Sequence, residues 1–283
     1  MHYIQSGDSL REGEMNSLFR KRIEAFLEED AAFCDITSSS VVPEGRARAR
    51  VVARVPGVLA GFGFFLEVFR ILDPSAAGES LLPEGGEFGP GEIGWVEAGT
   101  RALLSGERVA LNLLAITCGT ATRTRDLVRA VEGTGCVVLD TRKTMPGLRE
   151  FQKYAVRAAG GRNHRMSLGE MILIKDNHII ASGGIKRAVE RARAAWPLRL
   201  VEVEVQSWEQ LEEAFLAQPD IIMLDNFSPQ DAARAVRFVD GWIKLEASGG
   251  ITPENARAFA DAGVNFISSG WIMRGWVDIS LEL

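Results

Sequence analysis

Four sets of polar residues in this chain have the types and spacing of a site that handles anions. Between Arg142 and His178 stand eight basic residues (Arg142, Lys143, Arg149, Lys153, Arg157, Arg162, Arg165, Lys175) against three acids (Glu150, Glu170, Asp176), a local charge of +5. Guanidinium forks grip carboxylates in bidentate fashion, so Arg142, Lys143, His164, Arg165 and Lys175 together suit a ligand with more than one carboxylate or phosphate. The second set is acidic. In Val201-Glu202-Val203-Glu204-Val205 the two-residue period puts both glutamates on one strand face, and Asp225 follows at the end of a later apolar run. Carboxylates inside a fold need cations or a metal, and Glu204 with Asp225 suits a hard ion such as Mg²⁺ shared with ligand phosphates or hydroxyls. For Glu202 the competing reading is an ion pair with Lys175 or Lys244. The third and fourth sets are turns, Ser248-Gly249-Gly250 before Thr252-Pro253, and Ser269-Gly270. Backbone N–H groups at such turns cradle phosphate.

These residues need elements that bring them together. From Cys136 onward, short apolar runs (Cys136 to Leu139, Met171 to Ile174, Leu200 to Val205, Ile221 to Leu224, Ile243 to Ala247, Val264 to Ile267) alternate with helical segments. The helix starts are chemically marked: Ser207 with Gln210 forms a capping box, and Ser228-Pro229 and Thr252-Pro253 set an N-cap before proline. Gly263 supplies a stop. Six strand-helix units predict a parallel α/β barrel, incomplete because eight is the usual number. Asp140 to Lys143, Lys175, Glu204, Asp225, Ser248 to Gly250 and Ser269-Gly270 all fall at strand C-terminal ends, which converge on one mouth in such a barrel. A block of basic residues is otherwise a solvated helix face; polar groups at six successive strand ends do not fit that reading. Before the barrel, the spacing predicts a mixed α/β unit: a helix over Leu18 to Leu27, a strand over Ala47 to Val55, a helix over Gly61 to Leu72, a loop over Pro83 to Gly94, a strand over Trp95 to Leu103, and a helix over Glu107 to Cys118 entered through Ser105-Gly106.

The whole-chain composition narrows the function classes. With 283 residues, 46% apolar and 25% charged, the chain is an ordinary globular protein. Its net charge of −6 provides no global field for nucleic acid or an anionic membrane. The three cysteines lack metal-ligand spacing and are odd in number, so reduced thiols are expected. Met1 to Asp30 is charged and lacks a signal-peptide core, and the most apolar stretch, Val51 to Leu72, is interrupted by charges, so the reading is a cytoplasmic protein with neither nucleic acid nor membrane as partner. Together these features describe an enzyme for a polycarboxylate and a phosphorylated, metal-bound co-substrate. A different chemistry also fits Lys175, a Schiff-base nucleophile in an aldolase-like barrel.

Several runs carry a family resemblance. Asp140-Thr-Arg-Lys-Thr-Met-Pro-Gly-Leu-Arg149, Lys153-Tyr-Ala-Val-Arg157, Gly160-Gly-Arg-Asn-His-Arg165 and Ile174-Lys-Asp-Asn-His178 resemble quinolinate phosphoribosyltransferases, the carboxylating nicotinate-nucleotide pyrophosphorylases. So do Asp35-Ile-Thr37, Glu107 to Asn112, Val201 to Val205, Met223 to Asn226, Leu245 to Ile251 and Asp278 to Leu281. The resemblance implies a mixed α/β N-terminal domain (1–118) completed by a C-terminal strand (275–283), around an incomplete barrel (119–274). It implies transfer of phosphoribosyl from phosphoribosyl pyrophosphate to quinolinate, with Mg²⁺, giving nicotinate mononucleotide, CO₂ and pyrophosphate for NAD biosynthesis. It further implies a homodimer or larger assembly in which each N-terminal domain covers the partner's barrel mouth. By matching positions, quinolinate would meet Arg142, His164, Arg165, Lys175 and the neighbouring subunit's Arg108. Lys143 would face the donor; Glu204 and Asp225 would serve the ribose and metal; Ser248, Gly249, Gly250 and Gly270 would hold phosphate. Lys143, Lys175, Glu204 and Asp225 are thus the catalytic candidates.

One segment departs from the family pattern. Where relatives carry Gly-Ala-Leu-Thr-His-Ser, this chain reads Gly270-Trp-Ile-Met-Arg-Gly275, so that Arg274 takes the place of a phosphate-side histidine and Trp271 and Trp276 add bulk. The alternatives are a phosphoribosyltransferase for another pyridine carboxylate or ring acid, and a non-catalytic carboxylate-binding paralogue.

Overall fold

The computed structural model describes residues 17–283; the first sixteen residues of the charged N-terminal stretch, and of the expected first domain, lie outside them. The chain divides into two compact units.

The first unit contains helices α1 (Ser17–Glu29) and α2 (Ile36–Val41), strands β1 (Arg46–Ala53) and β2 (Gly57–Val58), and helix α3 (Phe62–Leu72). Strands β3 (Ala77–Ser80), β4 (Glu87–Phe88) and β5 (Gly91–Gly99) follow, then the long helix α4 (Thr100–Ala130), most of which belongs to this unit. Asp35 starts α2 by accepting the N–H groups of Thr37 and Ser38; its bonds to the Ser38 hydroxyl and N–H, then to the Ser105 hydroxyl, hold its carboxyl down at about 2. An antiparallel sheet has the order β12-β1-β5-β3, in which β12 (Ile279–Glu282) is the chain's last strand, as the resemblance implied. Along β1 the arginines face solvent while Ala49, Val51 and Ala53 are buried.

Two boundaries differ from the expectation. The segment read as a loop over Pro83 to Gly94 contains β4 and the start of β5, and the strand read through Leu103 ends at Gly99, where α4 begins. Ser105 and Gly106 therefore lie inside the helix rather than at its entry. Gly106 is there for space: a Cβ would stand 3.0 Å from Leu72 Cδ1 and 3.2 Å from the Phe69 ring. Close packing outweighs the helix cost of glycine, about 1 kcal/mol.

The second unit is the parallel sheet. Its strands are β6 (Val137–Leu139), β7 (Ile172–Ile174), β8 (Val201–Val205), β9 (Ile221–Asp225), β10 (Lys244–Ser248) and β11 (Phe266–Ser268), in the order β6-β11-β10-β9-β8-β7. Helices α6 (Asp176–Ser182), α7 (Ile185–Ala195), α8 (Trp208–Ala217), α9 (Pro229–Val239) and α10 (Pro253–Asp261) intervene. The marked starts hold: Ser207 accepts from Gln210 N–H, Ser228 from Asp231 N–H, and Thr252 forms a box with Asn255. β6 and β7 do not pair directly; instead the outer edge of β6 bonds the residue at 162, through Arg162 N to Val138 O (2.9 Å) and Asp140 N to Arg162 O (3.2 Å). The barrel is thus incomplete, with an irregular segment on that edge.

Helix α5 (Arg149–Ala158), expected within 119–274, packs with the first unit, as do residues 145–160 around it and 119–125 of α4. Phe151 explains this: fully buried, its ring meets Phe19 (5.1 Å between centroids) and Phe64 (5.0 Å) of the first core. Truncating such a ring to alanine costs about 3–5 kcal/mol. Helix α4 is long and apolar enough to span a membrane by composition alone, but 67% of its most apolar window is buried in the fold, which marks a core helix. Cys34, Cys118 and Cys136 are free thiols.

Candidate active site

The parallel register arranges one face of the sheet into layers. Glu204, Met223 and Glu246 share a level across β8, β9 and β10, and Asp225, Ser248 and Ser268 share the next level toward the strand ends. Lys175 stands immediately after β7. Its Nζ lies 2.6 Å from Glu204 Oε2, with the lysine side chain 43% exposed and Glu204 nearly buried. Lys175 is thus half-exposed and paired with an acid, not set in the apolar pocket that the Schiff-base reading would need.

Beside it lies the cationic set. The Nε of Arg142 is buried with no hydrogen-bond partner among the described residues, a donor suited to an acceptor brought by a ligand. The Arg165 guanidinium donates to Met171 O (3.1 Å). Burial, and then the charge of Arg142, push the Arg165 pKa down, with Glu202 opposing. Two guanidinium groups whose charges act on each other favour an anion between them. Lys143 lies across Gly270: a Cβ on that glycine would stand 3.3 Å from Lys143 Cδ. The lysine and the last glycine turn are therefore in contact, as a shared phosphate site requires.

Asp140 opens the Asp140 to Arg149 run but was not among the predicted site residues, and it organises the loop. Fully buried after β6, its carboxylate accepts His164 N–H (2.9 Å) and the Asn163 side-chain amide. His164 is turned inward. Its Nε2 lies 3.0 Å from Glu202 Oε2 and 3.7 Å from Glu246 Oε2, while its Nδ1 accepts Arg165 N–H (2.8 Å). Glu202, the residue read as either a ligand contact or an ion pair to lysine, is fully buried against this histidine. Burial raises the pKa of Glu202 and of Glu246. Glu246 was missed by sequence reading, although the alternation Lys244, Glu246, Ser248 puts it on the same face as the predicted phosphate turn.

The turn after β10 has a steric requirement. Gly249 has φ +98°, and a Cβ there would be 2.2 Å from Asn226 Oδ1 and 2.9 Å from Asn226 N. Asn226 itself is left-handed (φ +59°), with its N–H donated to Ser248 O (2.9 Å). Asp225 Oδ2 accepts from the Asn226 amide (3.0 Å) and the Gln206 amide (3.3 Å). Glu204 and Asp225, on one face of adjacent strands, offer hard oxygen donors beside this turn. That set fits Mg²⁺, which keeps waters and substrate phosphates as its remaining ligands.

The second unit thus gathers Arg142, Lys143, His164, Arg165, Lys175, Glu204, Asp225, Ser248, Gly249, Gly250 and Gly270 at the strand ends of one sheet. Arg108 and Arg274 belong to the first unit: Arg108 is exposed on α4, and Arg274 is exposed at the end of the short helical turn Trp271–Arg274. The departure at Gly275 has a packing cause. A Cβ there would be 1.9 Å from Gly119 O, and one on Gly119 would be 2.2 Å from Trp276 N, so α4 and the final segment touch backbone to backbone.

Family models for quinolinate phosphoribosyl transferase match this chain twice, the N-terminal domain over residues 35–118 and the C-terminal domain over 120–282. A Bacillus subtilis protein named probable nicotinate-nucleotide pyrophosphorylase (carboxylating) is 42% identical, over 95% of each chain. The human nicotinate-nucleotide pyrophosphorylase (carboxylating) is 36% identical, over 92% of this chain and 90% of its own. The solved structure of the Francisella tularensis nicotinate-nucleotide pyrophosphorylase superposes with a TM-score of 0.88 at 38% identity, over 95% of this chain and 97% of that one.

Proposed function

This chain belongs to the quinolinate phosphoribosyltransferase family, and from that membership we propose that it transfers phosphoribosyl from phosphoribosyl pyrophosphate to quinolinate with loss of CO₂, forming nicotinate mononucleotide for NAD biosynthesis. The observation that carries the reading is the unsatisfied cationic set: Arg142 has a buried Nε without a hydrogen-bond partner among the described residues, its charge acts on Arg165, and Lys175 is held on Glu204 at the same strand ends.

Quinolinate brings two carboxylates, which Arg142, Arg165 and Lys175 receive, with Arg108 of the partner subunit completing the pocket in a homodimer. Fixing both carboxylates orients the ring nitrogen toward the anomeric carbon, and such positioning supplies much of the rate of a two-substrate reaction. Lys143 and the turns at Ser248, Gly249, Gly250 and Gly270 hold the donor's phosphates. The ring nitrogen forms the new bond to the anomeric carbon as the bond to pyrophosphate oxygen breaks. Positive charge builds on the sugar as that bond lengthens, and Glu204 and Asp225 stabilise it. Nitrogen attacks with its own lone pair, so no general base is required. In the N-ribosyl pyridinium, the bond to the carboxylate adjacent to nitrogen breaks; CO₂ leaves, the electron pair stays on the ring carbon, and a solvent proton replaces it. Glu204 and Asp225 would hold Mg²⁺ together with the donor, and the ion would supply charge neutralisation of the pyrophosphate. The free thiols are consistent with a cytoplasmic location.

The test is direct: purified protein with quinolinate, phosphoribosyl pyrophosphate and Mg²⁺ forms nicotinate mononucleotide and CO₂ in equal amounts. Quinolinate binding without product would refute the assignment.

A further inference from the structure

Glu246 is fully buried beside Glu202 and faces the Ser268 hydroxyl, yet among the described residues neither of its oxygens, nor Glu202 Oε1, has a partner at full hydrogen-bond geometry. Buried carboxylates left in this state are costly unless they satisfy one another. Both approach the same imidazole nitrogen, at 3.0 Å for Glu202 and 3.7 Å for Glu246. The other ring nitrogen, Nδ1, accepts Arg165 N–H at 2.8 Å. An imidazole that accepts at Nδ1 carries its proton on Nε2, so His164 donates inward and receives outward. Two adjoining carboxylates in a dry interior do not both ionise. A proton shared by the pair lets Glu246 donate to Glu202, whose Oε2 accepts the His164 N–H at 3.0 Å. The result is a continuous chain from Glu246 through Glu202 and His164 to the backbone that carries the Arg165 guanidinium.

We propose that Glu246 is a positioning residue for the dicarboxylate pocket: through Glu202 it holds His164 as the Nε2–H tautomer, and His164 in turn anchors the backbone of Arg165. The proposal rests on the functional reading above for its ligand, but the brace itself is a property of the protein alone. The spacing of His164, Glu202 and Glu246 also matches what a metal ion would accept; with Nδ1 accepting the Arg165 N–H, the inward Nε2 carries the proton and has no lone pair for a cation.

The test combines ¹⁵N-histidine NMR of the full chain near neutral pH, assigned with His164→Asn, with steady-state kinetics of Glu246→Gln and Glu246→Leu. The wild-type spectrum should show His164 as the neutral Nε2–H form. Glutamine, which can still donate to Glu202, should keep that signature and leave the quinolinate KM within about twofold. Leucine should lose the fixed tautomer and raise the quinolinate KM roughly tenfold to a hundredfold, with kcat and the donor KM changed far less. An Nδ1–H tautomer or an imidazolium in the wild type overturns the proposal, as does a folded leucine variant with an unaltered spectrum and KM. So does a stoichiometric divalent metal in the wild type that Glu246→Gln removes. Should the leucine variant fail to fold, loss of the tautomer in Glu246→Gln overturns it and retention with normal KM supports it. Because the NMR needs no substrate, an intact tautomer in a protein that makes no product would sink the assigned activity and leave the brace standing.

Discussion

The glycine pair after β10 allows a sharp comparison, because two adjacent residues share a backbone region and differ in the space around them. Alanine at Gly250 enters φ +61° with no atom within 4 Å of the new Cβ, so it costs only the left-handed preference, about 1–2 kcal/mol. Alanine at Gly249 enters φ +98° and meets Asn226 Oδ1 at 2.2 Å and Asn226 N at 2.9 Å. The side-chain oxygen can swing away. The backbone nitrogen cannot follow, because its N–H is bonded to Ser248 O at the top of the β9–β10 pairing. Backbone strain of about 1–3 kcal/mol and overpacking of about 1–3 kcal/mol then combine to about 2–6 kcal/mol. Gly249→Ala should lower the urea midpoint clearly more than Gly250→Ala does. It should also raise the KM for phosphoribosyl pyrophosphate more, since relief moves Asn226 and with it Asp225. Equal midpoints and equal donor KM values for the two variants would refute the reasoning.

Arg142→Ala should abolish measurable quinolinate binding by calorimetry while the thermal midpoint stays near wild type; unaltered affinity would remove Arg142 from the pocket. If sites are shared across a dimer, mixing inactive Arg108→Ala and Lys175→Ala subunits should recover about a quarter of wild-type activity under random pairing, and confirmed heterodimers without activity would count against it. Stability should depend on pH through Glu246, whose carboxyl rises from 4.5 to about 8 on burial. The folded state holds this proton over a range in which the unfolded chain has released it, so the contribution is complete below about 4.5 and is lost as pH rises toward about 8. Urea midpoints measured across that range should fall less steeply in Glu246→Gln than in wild type; parallel slopes would contradict the assignment.

Much of the site is legible in residue order because a parallel strand ends where its apolar run stops, and the polar residues just beyond it necessarily share one edge of the sheet. Arg142, Lys175, Asp225 and the Ser248 turn follow from that rule alone. The helix starts at Ser207, Ser228 and Thr252 were readable for a similar reason, since a cap is satisfied within three residues. Boundaries set by distant packing were not. Gly106 reads as a helix entry until Phe69 and Leu72 are seen against it, and α5 reads as part of the barrel until Phe151 is found among the rings of Phe19 and Phe64.

By itself, then, the sequence determined the strand-helix alternation, the cationic pocket and its chemistry, because each is written in neighbouring residues and in the two-residue period of strands. Only the tertiary structure decided which carboxylates meet. Glu202 and Glu246 stand on β8 and β10, with β9 between them, and His164 comes from the loop before β7; their convergence depends on the twist and register of the whole sheet. A local pattern carries no record of that register, so the inward turn of His164 and the buried acid pair beneath it emerge only from the assembled fold.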